Sequence, residues 1–88
     1  MTSEPYSLIV ITAAHLGQLL VSSRKRRKLT QAQVALQLGL SQNRLSYLEH
    51  HPEMLSFKQL LSYSAVVGLH IQLSERPVID DSENLPEW

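Results

Sequence analysis

Apolar residues along this chain recur first at helical and then at strand spacing, and the polar residues between them mark where elements stop and start. Thr12 precedes a segment in which Ala13, Leu16, Leu19, Leu20 and Ser23 recur at helical spacing. This predicts a first helix capped by Thr12 and closing in the run Arg24 to Lys28, where cations suit the carbonyl end of the helix macrodipole. Thr30 and Gln33 have capping-box spacing, and Val34, Ala35 and Leu38 form the inner face of a short second helix ended by Gly39. Leu40 plugs the turn and Ser41 caps a third helix over Gln42 to Glu49. On that helix only Leu45 and Leu48 point one way, which leaves Gln42, Asn43, Arg44, Ser46 and Tyr47 on more exposed faces. His50, His51 and Pro52 break the chain. Ser56 and Gln59 then repeat the capping-box spacing, and Phe57, Leu60, Leu61 and Ser64 predict the core stripe of a fourth helix closed by Gly68.

Beyond Gly68, Leu69, Ile71 and Leu73 alternate with His70, Gln72 and Ser74, the period of a half-buried strand. One short strand needs a partner, either its own copy across a two-fold axis or a strand from Tyr6 to Ile11. After Pro77 the chain is polar and acidic with an apolar end at Leu85 and Trp88, which reads as a flexible tail. The expectation is a mainly α, compact four- to five-helix domain with one short C-terminal β-strand over residues 12–74. An N-terminal extension, 1–11, and an acidic tail, 75–88, flank it. With 88 residues there is room for one small core, and such a core gains stability from a second subunit, so a homodimer is expected.

Charge changes the picture through its distribution. The formal net charge is zero, yet up to Ser74 seven basic side chains face three acidic ones, a net +4. From Glu75 onward five acids face only Arg76, a net −4. A basic body with an acidic tail suggests two different partners. There is no cysteine, which excludes disulfides, thiolate zinc sites and thiol catalysis and fits a reducing cytoplasm. The apolar stretch Leu8 to Ile11 is too short for a bilayer and lacks a basic lead-in, so a cytoplasmic protein without membrane contact is expected. No Gly-rich phosphate loop, nucleophile motif or placed acid pair suggests an enzyme. The four histidines, His15, His50, His51 and His70, lack ligand spacing, so neither metal nor cofactor is expected.

The segment Gln31 to His50 carries the function. Ala35 lets two helices approach closely, Gly39 makes the bend, and Val34, Leu38, Leu40, Leu45 and Leu48 lock the pair at one angle. Leu29-Thr30-Gln31, Val34-Ala35, Leu38-Gly39-Leu40-Ser41 and Leu45-Ser46-Tyr47-Leu48-Glu49 resemble the phage-repressor-like (Cro, XRE-type) helix-turn-helix family. With its flanking helices the resemblance covers roughly Thr12 to Val67. It implies a compact helical bundle that binds a palindromic double-stranded DNA operator as a dimer, with the third helix in the major groove. By position it implies base contacts from Gln42, Asn43 and Arg44, with Ser46 and Tyr47 nearby. Gln31, Arg26, Arg27 and Lys28 would meet phosphates, and Arg24 would pair with Glu49. Amides suit adenine and arginine suits guanine, so the chemistry agrees.

A narrower resemblance is to HipB-type antitoxins, the operator-binding partners of HipA-type kinase toxins. It rests on the spacing from Thr12 through Leu16 to Arg24 and Thr30-Gln31, the strand at Leu69, Ile71 and Leu73, and the tail ending Glu87-Trp88. It implies that the strand builds the dimer and that Leu85 and Trp88 contact a HipA-like toxin. A terminal tryptophan also packs on its own domain in some chains, so both placements of Trp88 stay open. Two alternatives stand beside the repressor-antitoxin: a phage-type repressor without a toxin, and a protein-binding adaptor on a helix-turn-helix scaffold.

Overall fold

The computed structural model describes residues 9–75. Four α-helices, α1 (Ala13–Arg26), α2 (Gln31–Leu38), α3 (Gln42–His50) and α4 (Phe57–Val66), build the domain, with a 3-10 turn over Pro52–Met54 between the last two. Each α-helix starts where a side chain satisfies an otherwise unpaired N–H of its first turn. Thr12 Oγ1 accepts from His15 N–H at 3.0 Å, and Ser41 Oγ accepts from Arg44 N–H at 3.0 Å. At Thr30 and Ser56 the cap is reciprocal: Gln33 and Gln59 reach back to the cap N–H at 2.8 Å and 2.9 Å. Helix α3 runs to His50, one residue past the expected end.

The turn between α2 and α3 depends on backbone chirality. Gly39 sits at φ 71° and ψ 31°, the left-handed region that costs an ordinary L-residue about 1–2 kcal/mol. Its N–H and that of Leu40 donate to Leu36 O and Ala35 O at 3.2 Å and 2.9 Å, which closes α2 and turns the chain into α3. A second constraint lies between α1 and the 3-10 turn. A Cβ on Gly17 would stand 2.7 Å from Pro52 Cγ, so the helix and the buried proline meet only because residue 17 has no side chain.

Leu20, Val34, Ala35, Leu45, Tyr63 and Val67 form the buried centre, with Leu16, Leu29, Leu38, Leu40, Leu55, Leu60, Val66 and Leu69 packed around it. Three expectations are corrected here. On α1 the buried face is Gly17, Leu20, Ser23 and Arg24; Ala13 is exposed and Leu16 and Leu19 are half-buried. Gly17 packs against Pro52 on this face, which keeps Leu20 and Ser23 of the expected stripe. On α4 Phe57 is 68% exposed and Leu61 43%, while Tyr63, Ser64 and Val67 are buried. Both faces of α4 carry apolar residues at helical spacing, and only the one bearing Tyr63 meets α2 and α3; apolar residues outside the core are ordinary.

The third correction concerns Leu69, Ile71 and Leu73. Residues 69–75 form neither helix nor strand, and no strand occurs among the described residues. Leu69 packs on the core, whereas Leu73 is 94% exposed. A strand exists only through its ladder, and within one chain residues 9–11 offer no partner. The tail residues Leu85 and Trp88 lie outside the described residues, as does the stretch 1–8.

Candidate nucleic-acid interface

Helices α2 and α3 form a rigid pair because the residues that join them are among the most deeply buried. Val34 and Leu45 are wholly inaccessible, Leu48 nearly so, and the small Ala35 is also buried. The inward leucines at positions 45 and 48 dictate what α3 turns outward. Gln42, Asn43 and Arg44 are exposed on its first turn, Ser46 is half-buried, and Tyr47 is 42% exposed. Ser41, which caps this turn, leaves a short polar helix end standing free of its own domain.

Within that face the side chains are ordered by one another. The Arg44 guanidinium lies over the Tyr47 ring, 5.2 Å from its centroid, and Tyr47 also meets His51 with ring centroids 4.6 Å apart. His50 turns away, its Nδ1 2.8 Å from Ser46 O. From the sequence His51 is read as part of a break in the chain and as one of four histidines without ligand spacing, not as part of this face. Its place four residues after Tyr47 was the signal that could have joined it to the face.

A second cluster holds the pair on α1. Arg24 Nε donates to Glu49 Oε2 at 2.7 Å and Arg24 Nη2 to Glu49 Oε1 at 3.1 Å, a forked pairing across 25 residues of chain. The remaining Nη1 donates to Leu29 O at 3.0 Å, securing the loop into α2. Gln31 Nε2 donates to Glu49 Oε1 at 2.9 Å, and the Tyr63 hydroxyl donates to Glu49 Oε2 at 2.5 Å. One carboxylate from the end of α3 thus gathers α1, the start of α2, and α4. The two ion-pair side chains are only 9% and 5% exposed, so this cluster is screened from water.

Its electrostatics follow from that enclosure. Burial alone would push the Glu49 carboxyl up, but hydrogen bonds from Arg24, Tyr63 and Gln31, with the Arg24 charge, hold it below the usual carboxylate range. Burial also opposes the Arg24 charge, and its pairing with Glu49 outweighs that, so its pKa is raised further. Burial, and then the adjoining Glu49 carboxylate, push the Tyr63 hydroxyl well above the usual phenol range. No buried side-chain N or O among the described residues lacks a hydrogen-bond partner. Tyr63 was missed from sequence, although Leu60, Tyr63, Ser64 and Val67 also share helical spacing.

The basic run divides by partner. Arg24 is consumed by the Glu49 cluster, and Lys25 to Lys28 are exposed. Arg26 Nη2 donates to Ser23 Oγ at 3.1 Å. Arg27 lies across Gly68, just past α4, where a Cβ would collide with its guanidinium. Lys28 holds φ 59°, the only positive φ outside glycine among the described residues, and it makes the turn that leads into Leu29 and α2. Gln31 joins Arg24 and Glu49, while Arg27 sits on the α4 side.

No helix among the described residues is long and apolar enough to cross a membrane. No curated protein matches the chain. The profile of the helix-turn-helix family matches residues 22–73, which takes in the end of α1, both helices of the rigid pair, and α4. That match spans more than half of the 88 residues, and with the buried α2–α3 pair and the exposed first turn of α3 it places the chain in the XRE-type helix-turn-helix family of DNA-binding regulators.

Proposed function

We propose that this chain is a sequence-specific transcriptional repressor that binds a palindromic operator as a homodimer. In this reading it is also the antitoxin of a HipA-like kinase toxin whose operon it regulates. The observation that carries the reading is the first turn of α3, where Gln42, Asn43 and Arg44 are presented to solvent while Leu45 and Leu48 anchor the same helix in the core. A helix held this way enters a major groove without reordering, and its amides and guanidinium match adenine and guanine edges. Ser46 and Tyr47 flank them. Gln31 spends one amide N–H on Glu49 and offers the other to a phosphate oxygen, with Arg26, Arg27 and Lys28 as further phosphate partners.

Two features support the wider assembly. Ile71 and Leu73 are exposed in the single chain, and pairing with a second copy across a two-fold axis would cover them. The net charge of −4 after Ser74, with Leu85 and Trp88 at its end, supplies a recognition arm of opposite sign to the DNA-binding body.

The test is binding of purified protein to its own upstream DNA and to a scrambled duplex over a salt series. The expected result is two chains per palindrome, with a preference for the operator that survives rising salt. Arg44→Ala should lose about 1–3 kcal/mol of that preference and leave scrambled-duplex binding nearly intact. Equal binding to both duplexes at every salt concentration would refute operator reading and leave the adaptor. Removing residues 81–88 should spare the operator and abolish capture of a kinase toxin; weaker operator binding would count against a toxin-binding tail.

A further inference from the structure

An exposed arginine on a helix surface samples many rotamers, and a base-reading guanidinium that must be ordered on contact loses part of its selectivity. Arg44 is exposed and forms no ion pair among the described residues, yet it is not unsupported. Positions 44, 47 and 51 follow one another at i, i+3 and i+7 along α3 and its cap. Their side chains meet in series: the Arg44 guanidinium carbon lies over the Tyr47 ring, 5.2 Å from its centroid, and that ring is 4.6 Å from the His51 ring at a tilt of 33°. The His51 end of the series is held firmly. Its N–H donates to Tyr47 O at 2.8 Å, and the next residue is Pro52, buried against Gly17 of α1. Glu53 Oε2 stands 3.6 Å from its Nδ1.

Resting on the operator reading above, we propose that His51 is a positioning residue for base recognition. Through Tyr47 it holds the Arg44 guanidinium in one orientation, its fork directed outward to the O6 and N7 acceptors of a guanine. His51 itself touches no base in this arrangement. Its contribution is to deny Tyr47 other rotamers, and Tyr47 in turn supplies the π-face on which Arg44 rests.

The experiment compares the wild type, Arg44→Ala, His51→Ala and His51→Phe on the operator, on a scrambled duplex and on operators with each G·C pair changed singly to A·T. Arg44→Ala identifies the guanine position that the arginine reads. At that position His51→Ala is expected to lower the guanine preference by about 2- to 10-fold, with scrambled-duplex affinity and salt slope unchanged. His51→Phe is expected to restore it, because a flat ring suffices. Full preference retained in His51→Ala overturns the proposal. So does a uniform loss on every duplex with a flatter salt slope, which would make His51 a phosphate contact. Failure of phenylalanine to rescue overturns it as well. If the wild type prefers its operator but Arg44→Ala changes no guanine position, this proposal alone falls. If the wild type shows no preference, operator reading falls with it.

Discussion

Replacing Tyr63 with phenylalanine isolates the Glu49 cluster, because it deletes one hydroxyl from a buried ring and leaves the packing volume nearly unchanged. The lost bond is the 2.5 Å donation to Glu49 Oε2, an acceptor that keeps Arg24 Nε at 2.7 Å. Hydrogen bonds to a charged group contribute about 1.5–3 kcal/mol, and the surviving Arg24 contact places the expected loss at the lower end, about 1.5 kcal/mol. For a domain of this size that corresponds to a Tm lower by roughly 6–12 °C. The pH dependence adds a second signature. Glu49 has a folded pKa below its unfolded value, so its stabilisation is present above the unfolded carboxylate range and is lost as pH falls through the folded pKa. Phenylalanine removes one of the donors that hold this pKa down, so acid destabilisation should begin at higher pH in the variant.

The alkaline limb runs the other way. The folded pKa of Tyr63 is raised, so the hydroxyl's contribution is complete below the unfolded phenol value and is lost as pH rises toward the folded one. The gap between wild type and variant should therefore be widest near neutrality and narrow above about pH 10. Thermal unfolding followed by circular dichroism from pH 3 to pH 11 checks all of this. A variant within about 1 °C of wild type at pH 7, a shift of under ~0.3 kcal/mol, would refute the reasoning that Tyr63 holds the Glu49 cluster.

Other substitutions probe the backbone. Lys28→Gly relieves a positive φ and should raise stability by about 0.5–1 kcal/mol in a thermal melt, while lowering affinity for all duplexes alike and reducing the salt slope by about 1. Gly17→Ala places a methyl 2.7 Å from Pro52 Cγ and should cost about 1–3 kcal/mol in urea unfolding with the slope unchanged. Gly39→Ala has open space around the added methyl but must hold φ 71°, so its cost of about 1–2 kcal/mol should be largely recovered by Gly39→Asn.

These perturbations separate what was legible in the sequence from what was not. Caps and turns were legible because each is a bond over three or four residues. Thr30 with Gln33, Ser56 with Gln59, and Ser41 before α3 declare themselves in the spacing, and Gly39 declares the bend between helices. Leu45 and Leu48 then determine the exposed side of α3 by elimination. The choice between two apolar faces of one helix was not legible. On α4, Phe57 and Leu61 have the same periodicity as Leu60, Tyr63 and Val67, and only the position of α2 and α3 decides which face is buried. Leu69, Ile71 and Leu73 form no strand within the single chain for a related reason: alternation describes a face but supplies no neighbour.

The same limit applies to the interface, and it marks where the physical interest lies. The exposed first turn of α3 follows from local pattern alone, but the orientation of that turn depends on contacts between residues distant in the chain. Glu49 binds Arg24 across 25 residues, Gln31 across 18 and Tyr63 across 14. Glu49 also lies two residues before His51, the ring on which Tyr47 leans, and Gly17 packs against the Pro52 that follows. Both ends of the arrangement therefore converge on the last turn of α3. A carboxylate on the inner side ties the helix to α1, α2 and α4, and a ring on the outer side orders the series that leads to Arg44. Disturbing the inner side should shift stability and the presentation of Gln31 together, whereas disturbing the outer side should change selectivity with stability nearly unaffected. A melt and a base-substitution series on Tyr63→Phe and His51→Ala would separate the two. If His51→Ala lowered Tm as much as Tyr63→Phe, the outer series would be part of the fold, and its assignment to recognition would be wrong.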